Sequence, residues 1–427
     1  MQGDARSHGL WEQTAPAAPV SGGLSGDLRA DVVVIGAGYT GLSTALHLAE
    51  GGARVVLLEA VEAGFGGAGR NVGLVNAGMW VMPEALCDVL GAGHGNRLID
   101  FLGDGPRQVF DLVARHGIAC EAVHQGTLHL AVGQGGLAEI RERARQWQAR
   151  GAPVEVLSAA ETARRVGSAA YAGALLDRRA GTIQPLAYAR GLARVAVAAG
   201  VQLFTGTPVA AVERAGHGWA AVTPQGRVVA DWVVLGTDAY TGALFPEIRT
   251  QQVHLPYFNC ATEPLSADLR AKILPGLEGC WDTREVLSSF RFDQAGRLVF
   301  GSVGALRRGG AAVHRSWALR AMRQLWPELA GVRIAAEWWG QIGMTADNLP
   351  RFHRLADRIV TVCGYNGRGI APGTVFGKAL AALVSGAMAE GDLPLPVTAP
   401  VAVSALPLRE AYYEYGAQIA HLAGARL

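Results

Sequence analysis

Residues 31–59 impose a strand, a glycine turn, a helix and a second strand, in that order, on any fold this chain adopts. Asp31 leads into Val32-Val33-Val34-Ile35, a continuous run of β-branched residues and the pattern of a strand covered on both faces. The turn Gly36-Ala37-Gly38-Tyr39-Thr40-Gly41 follows, and the next residues set Leu42, Ala45, Leu46 and Ala49 on one helical face. A second run, Val55-Val56-Leu57-Leu58, ends in Glu59. A dinucleotide-binding crossover needs these parts. Gly36 permits the tight turn, Gly38 lets the backbone approach a pyrophosphate, and Gly41 lets helix and strand pack closely. The helix N-terminus at Tyr39 and Thr40 then faces the anion. Glu59 is placed to accept hydrogen bonds from a ribose, and its carboxylate repels a 2′-phosphate. That counts against NADP and leaves NAD and FAD open.

A chain of 427 residues has material for two or three domains. Its net charge of +2 is too mild to attract nucleic acid or a membrane surface, and neither partner is expected. The stretch Val32 to Ala49 approaches membrane-spanning length, but its glycines and Tyr39, Thr40, Ser43, Thr44 and His47 fit a strand and helix better. Residues 1–28 lack the apolar centre of a signal peptide and read as a tail. The five cysteines are odd in number and form no Cys-x-x-Cys pair, which argues against a disulfide framework and a zinc site. They suit a reducing cytoplasm, and no metal is expected.

Two later segments repeat the strand-into-glycine pattern. Asp231-Trp232-Val233-Val234-Leu235 runs into Gly236-Thr237, and Ile359-Val360-Thr361-Val362-Cys363 runs into a loop from Gly364 to Gly373. The helix after that loop turns Val375, Phe376, Ala379, Leu380, Leu383 and Val384 inward and stops near Gly391. Residues 126–132, 289–292 and 297–301 read as strands of a second sheet, the last two joined by a turn at 293–296, and residues 137–149 as a helix with one solvated face. The fold class expected is α/β: a Rossmann-type dinucleotide-binding domain assembled from discontinuous segments with a sheet-based second domain, which the family resemblance given next makes a Rossmann-type FAD-binding domain and a mixed β-sheet substrate domain. The nucleotide domain is assigned residues 1–105, 183–245 and 336–427, the last with a C-terminal tail, and the substrate domain 106–182 and 246–335.

Over nearly its whole length the chain resembles the D-amino-acid-oxidase-like FAD-dependent oxidoreductases, and looks most like their gamma-glutamylputrescine oxidoreductase branch. Residues 31–50, Gly64-Phe65-Gly66-Gly67-Ala68-Gly69-Arg70-Asn71, Tyr171 to Asp177 and the Gly364 to Gly369 loop carry the likeness. The resemblance implies FAD, held by the Gly36 to Glu59 unit and Ala60. Gly67, Gly69, Arg70, Asn71, Val72 and Gly73 would flank the pyrophosphate or the isoalloxazine edge. Val209, Thr237 and Gly340 would add contacts. Gly364, Tyr365, Asn366, Gly367, Arg368, Gly369 and Ile370 would offer backbone N–H groups to the flavin carbonyls. Three departures from the family pattern matter. No cysteine stands near Gly340, where sarcosine oxidases attach their flavin, so noncovalent FAD is expected. No lysine stands near Val299, which puts oxygen in doubt and leaves the electron acceptor as oxygen or an unknown carrier. Ala371 replaces a carboxylate-clamping lysine, which disfavours small free amino acids.

The chemistry implied is removal of hydride from the C–H next to an amine nitrogen by flavin N5, leaving an imine that water hydrolyses. The substrate expected is a small-molecule amine, either a secondary amine or an acylated polyamine-like compound. Tyr257, Phe258, Trp338, Trp339 and Tyr365 are the expected aromatic wall. Arg291 is expected to bind the substrate's far end, because Phe290 and Phe292 point to the opposite face of its strand. The catalytic set is thus Arg291, Tyr257, Trp339 and Tyr365. A D-amino-acid or glycine/sarcosine-type oxidase, an NAD-linked dehydrogenase and a non-catalytic FAD-binding subunit stand as alternatives.

Overall fold

The structure, a computed structural model, describes residues 8–424. The strand Leu28–Ile35 lies inside a nine-stranded sheet, with Val55–Leu58 and Gly226–Leu235 parallel to it on either side. Gly226–Leu235 pairs in parallel with Ile359–Cys363, and Val55–Leu58 with Gln202–Phe204. Strands from both ends of the chain therefore form one parallel core. Its apolar runs are continuous because both faces are covered. Val32 and Val34 pack with Leu42 and Leu46 of the helix Tyr39–Glu50, while Val33 and Ile35 pack on the other side with Val228 and Ala221. Each of these Val, Leu and Ile side chains contributes about 1.5–3 kcal/mol by leaving water.

Two glycines in the first turn have no substitute. Gly36 has φ +100°, and a Cβ on Gly41 would lie 1.9 Å from the Gly36 carbonyl oxygen. The helix Tyr39–Glu50 is buried on more than the one face expected for it, because Ile370–Val384 packs across it. Ser43 Oγ donates to the Thr374 carbonyl at 2.6 Å, and Thr44 Oγ1 to that of Gly377 at 3.1 Å, so polar residues on this contact are satisfied. That second helix ends at Val384, short of Gly391.

The second sheet has eight strands in the order Ile334–Met344, Val253–Thr262, Leu298–Val303, Ser288–Phe292, Gly279–Asp282, Thr127–Ala131, Gly173–Asp177 and Val154–Ser158. All neighbours are antiparallel except Gly279–Asp282 and Thr127–Ala131, which makes the sheet mixed. Two domain boundaries differ from expectation. The strand Ile334–Met344 pairs with Val253–Thr262 along its length, so the chain returns to the nucleotide sheet after Met344 and not at residue 336. The helix Gly105–His116 packs on Ile370–Val384 of the nucleotide domain and puts Val109 and Leu112 into the core that also holds Leu42, on the nucleotide side of the boundary expected at 105. Neither shift has a local cause, since a segment's sheet is chosen by its pairing partner.

Of the tail expected over residues 1–28, the described part is packed. Leu10 and Trp11 are buried against Leu186, Val299 and Trp338, and Trp11 Nε1 donates to the Asn71 carbonyl at 2.9 Å. At the other end the helix Leu406–Ala423 lies beside Val253–Thr262, where Glu410 accepts from Arg249 at 2.8 Å and from the His254 N–H at 3.0 Å. Among the described residues no helix is long and apolar enough to cross a membrane.

Candidate active site

A cavity of about 1080 Å³ is lined from both sheets. At its nucleotide end lie Gly36, Gly38, Tyr39, Thr40, Glu59 and Ala60, followed by Gly67, Arg70, Asn71 and Val72, with Val209 and Thr237 across from them. The first turn of Tyr39–Glu50 opens onto this space, and its N–H groups have no partner within the helix. Glu59 Oε2 accepts the Ala37 N–H at 2.8 Å and Oε1 the Val61 N–H at 3.0 Å. Burial pushes its pKa up and these bonds oppose that. Side-chain-free backbone, a helix N-terminus and a carboxylate one strand over form a donor and acceptor set that fits the pyrophosphate and ribose of FAD.

Arg70 is 2% exposed, with its guanidinium 4.3 Å from the Phe65 ring centroid. Its carbonyl accepts from Asn259 Nδ2 at 3.1 Å and Trp338 Nε1 at 2.9 Å, which anchors the loop to the second sheet. Asn71 is turned inward. Its amide donates to Gly67 O and Tyr39 Oη, and its carbonyl oxygen accepts the Gly73 N–H at 2.9 Å, so it shapes the loop. Gly41, Gly69, Gly73 and Gly364 stand behind the cavity wall. Gly69 packs on Gly64 and Leu186, and Gly73 bonds Ile183 N–H through its carbonyl.

The C-terminal loop brings Tyr365, Asn366, Gly367, Arg368, Gly369 and Ile370 to the cavity, with Gly340 opposite. Part of its donor capacity is already used. Gly364 N–H donates to Asp238 Oδ1 at 2.7 Å, Asn366 N–H to Gly343 O at 3.2 Å and Arg368 N–H to Tyr365 O at 3.0 Å. The expectation for flavin donors thereby shifts to Gly367, Gly369 and the helix start at Ile370. Asp238 is held by Gly364 and Ala239, and its burial pushes its carboxyl up to about 6.

Beneath the second sheet the cavity is walled by Tyr257, Ser289, Trp281, His129 and Trp80, with Tyr365 facing them. Tyr257 Oη and Ser289 Oγ share a hydrogen bond of 2.8 Å, as do Tyr365 Oη and Thr40 Oγ1 at 2.7 Å. Burial raises both phenol pKa values, so both stay neutral.

Four expected wall or anchor residues lie elsewhere. Trp339 and Phe258 are paired neighbours on the outer face and join the core there with Trp317. Trp338 shares the face of Tyr257 but lies farther along its strand, edge-on to Trp11. Arg291 is on the predicted side of its strand, yet it is 1% exposed and its donors go to the carbonyls of Val72, Ile183 and Phe292 at 2.7, 2.7 and 3.0 Å. It is a structural tie and does not line the cavity. Val299, the position compared with an oxygen-activating lysine, is likewise buried behind it with Trp11.

Trp80, His129, Asp238, Trp281 and Ser289 are site residues that sequence reasoning did not select. His129 and Ser289 were on strands identified correctly, so alternation on those strands held a usable signal. Trp80 and Trp281 carried none, because only folding brings them together.

Comparison with known proteins agrees with this geometry. Residues 31–383 match the family described as DAO, FAD dependent oxidoreductase. A probable oxidoreductase OrdL of Rhizobium meliloti is 32% identical over 387 residues, 90% of this chain and 89% of that protein. Gamma-glutamylputrescine oxidoreductase of Escherichia coli is 33% identical over 375 residues, 85% of each. The solved glycine oxidase of Geobacillus kaustophilus shares the fold with a TM-score of 0.68 at 21% identity, covering 84% of this chain and 95% of its own. By fold, cavity and sequence, this chain belongs to the DAO family of FAD-dependent oxidoreductases.

Proposed function

We propose that this protein oxidises a secondary amine or an acylated polyamine-like amine, using FAD held noncovalently. One observation carries the reading: the cavity that starts at the glycine turn continues under the second sheet to a wall that includes the aromatic and hydroxyl groups of Tyr257, Ser289, Trp281 and Tyr365. Bound FAD supplies the acceptor for hydride from the C–H next to nitrogen. The chain's own residues do the rest. Tyr257, Trp281 and Tyr365 exclude water and favour the uncharged amine, whose lone pair must be free as the hydride leaves. The Tyr257–Ser289 pair offers a fixed polar contact that orients the nitrogen. The N–H proton passes to solvent, and the imine is hydrolysed after release. Similarity to a gamma-glutamylputrescine oxidoreductase supports an acylated polyamine-like substrate.

None of the five cysteines lines the cavity, which supports noncovalent FAD. All are free thiols, in keeping with a cytoplasmic setting. The electron acceptor in this reading is oxygen or another carrier. Anaerobic addition of primary, secondary and acylated amines to the holoprotein is the test. Bleaching of the flavin by secondary or acylated amines is expected, with yellow supernatant after acid precipitation. A flavin that no amine bleaches would sink the proposal.

A further inference from the structure

We propose that the helix Leu406–Ala423 pairs with the same helix of a second copy of this chain across a two-fold axis. One side of the helix is fixed to the body of the protein. Arg249 Nη2 donates to Glu410 Oε1 at 2.8 Å and Arg307 Nε to Glu414 Oε1 at 2.9 Å. Ala417 and His421 are buried, and the His421 carbonyl accepts from Arg320 Nη2 at 2.7 Å. These four residues recur at intervals of four, three and four, which is one face of an α-helix. The opposite face carries a second stripe, Leu408, Tyr412, Tyr415, Ile419 and Leu422, at intervals of four, three, four and three. Its members are 46% to 74% exposed, so no described segment covers the stripe.

A surface helix ordinarily turns charged side chains to water on the face away from its core contacts. Here Arg409 is the only charged residue among those exposed on the helix. Alternating intervals of four and three form the seam by which one helix packs along another. The flanks of the seam say which helix that is. Ala411, Gly416, Gln418 and Ala423 occupy positions where paired helices carry the charges that select a partner. Being small or uncharged, they let two copies approach closely without like-charge repulsion and give a foreign helix no charge to recognise. A two-fold pair sets the same patch on both sides, so an apolar stripe meets an apolar stripe. With about 150–250 Å² for a tyrosine and less for Leu or Ile, the stripe offers on the order of 500 Å² from each copy. Two copies then bury about 1,000 Å², the size at which a specific interface becomes stable. Tyrosine suits that role because its ring is apolar and its hydroxyl finds a partner; Arg308 Nη1 already donates to Tyr415 Oη at 3.4 Å. A helix lying on lipid instead sets several lysines and arginines beside its apolar face, and this one exposes a single arginine. Tyr413, on the flank of the same helix, lines the cavity, so the pairing also steadies one side of the candidate active site.

The test uses the holoprotein. Sedimentation velocity at about 100 µM, well above a micromolar Kd, is expected to show a dimer. Because the contact is apolar, raising the salt from about 0.05 to 0.5 M should leave that dimer in place. Tyr412→Glu and Ile419→Glu each put a charge into the seam. Each should raise the dimer Kd about 100-fold or more, with the flavin spectrum unchanged. Wild-type protein that stays monomeric at this concentration would overturn the proposal. So would a dimer whose Kd neither variant changes, since it would be using another surface. A monomer that sediments with vesicles of phosphatidylcholine and phosphatidylglycerol, and that both variants release, would overturn it as well and assign the stripe to a membrane. If a Glu variant loses its flavin or unfolds, Tyr412→Ser and Ile419→Ser make the same comparison without a charge, and the wild-type sedimentation decides by itself.

Discussion

Arg291 is a buried arginine whose donors end on backbone carbonyls. Arg291 joins the backbone of three separate segments through Val72, Ile183 and Phe292 and lies 5.0 Å from the Trp11 ring centroid. Arg291→Met keeps the apolar stem but leaves those carbonyls without their donor. The cost expected is about 2–5 kcal/mol, with several charged hydrogen bonds lost at roughly 1.5–3 kcal/mol each and partial relaxation. Urea unfolding of the holoprotein measures it, while the amine concentration for half-maximal flavin reduction should not change. A variant of normal stability with altered substrate affinity would return Arg291 to the site. Glu59 has one oxygen on Ala37 N–H and the other on Val61 N–H, and each retains a lone pair for a ribose hydroxyl. Loss of those charge-assisted bonds in Glu59→Ala should weaken FAD roughly 10-fold to 100-fold, corresponding to about 1.5–3 kcal/mol. Fluorescence titration of the apoprotein checks this, and equal affinity would remove Glu59 from the binding set.

At the scale of elements, the strand Ile334–Met344 explains why the aromatic wall was only half legible. Gly340 pairs with Tyr257 and Trp339 with Phe258, so adjacent residues face opposite sides of the sheet. The sequence shows an aromatic pair in each segment, Tyr257-Phe258 and Trp338-Trp339, but does not say that either segment is a strand or which alternate faces the cavity. The helix Leu406–Ala423 raises a different question, since His421 Nδ1 and His314 Nδ1 meet at 2.8 Å in the core behind it. Burial lowers the His314 pKa to about 4, and burial with the His314 and Arg320 charges lowers that of His421 to about 3. The unfolded chain takes up these protons near the usual value of about 6.5. Between there and about 4 it binds more protons than the folded protein, so stability is full above about 6.5 and declines as pH falls through this window. Hydrogen exchange, corrected for intrinsic rates, should show the C-terminal helix less protected at pH 5 than at pH 7. Equal protection would mean that the histidine pair does not govern its docking.

The whole molecule is organised around a cavity to which both sheets contribute, and FAD filling it would bridge them. A ligand that binds only the folded state stabilises it by about 2.7 kcal/mol at 100 times its Kd. The thermal midpoint of the apoprotein should therefore rise steadily with added FAD. A midpoint indifferent to FAD would show that the cofactor does not bind across the cavity.

The resemblance carried by residues 31–50, 64–71, 171–177 and 364–369 implied the DAO fold and its FAD, and by itself the sequence determined the Gly36 turn and its helix, the strands at 231–235 and 359–363 and the hairpin around residues 293–296. Those features are set by periodicity and by backbone geometry within a few residues, which short stretches of sequence express directly. Tertiary structure alone decided that Ile334–Met344 joins the second sheet, that Trp11 seals the back of Arg291, and that Trp80 and Trp281 converge on Arg368. Each depends on strand register or on packing between segments far apart in the chain. A side chain's type does not say whether carbonyls will surround it or leave it facing an empty space.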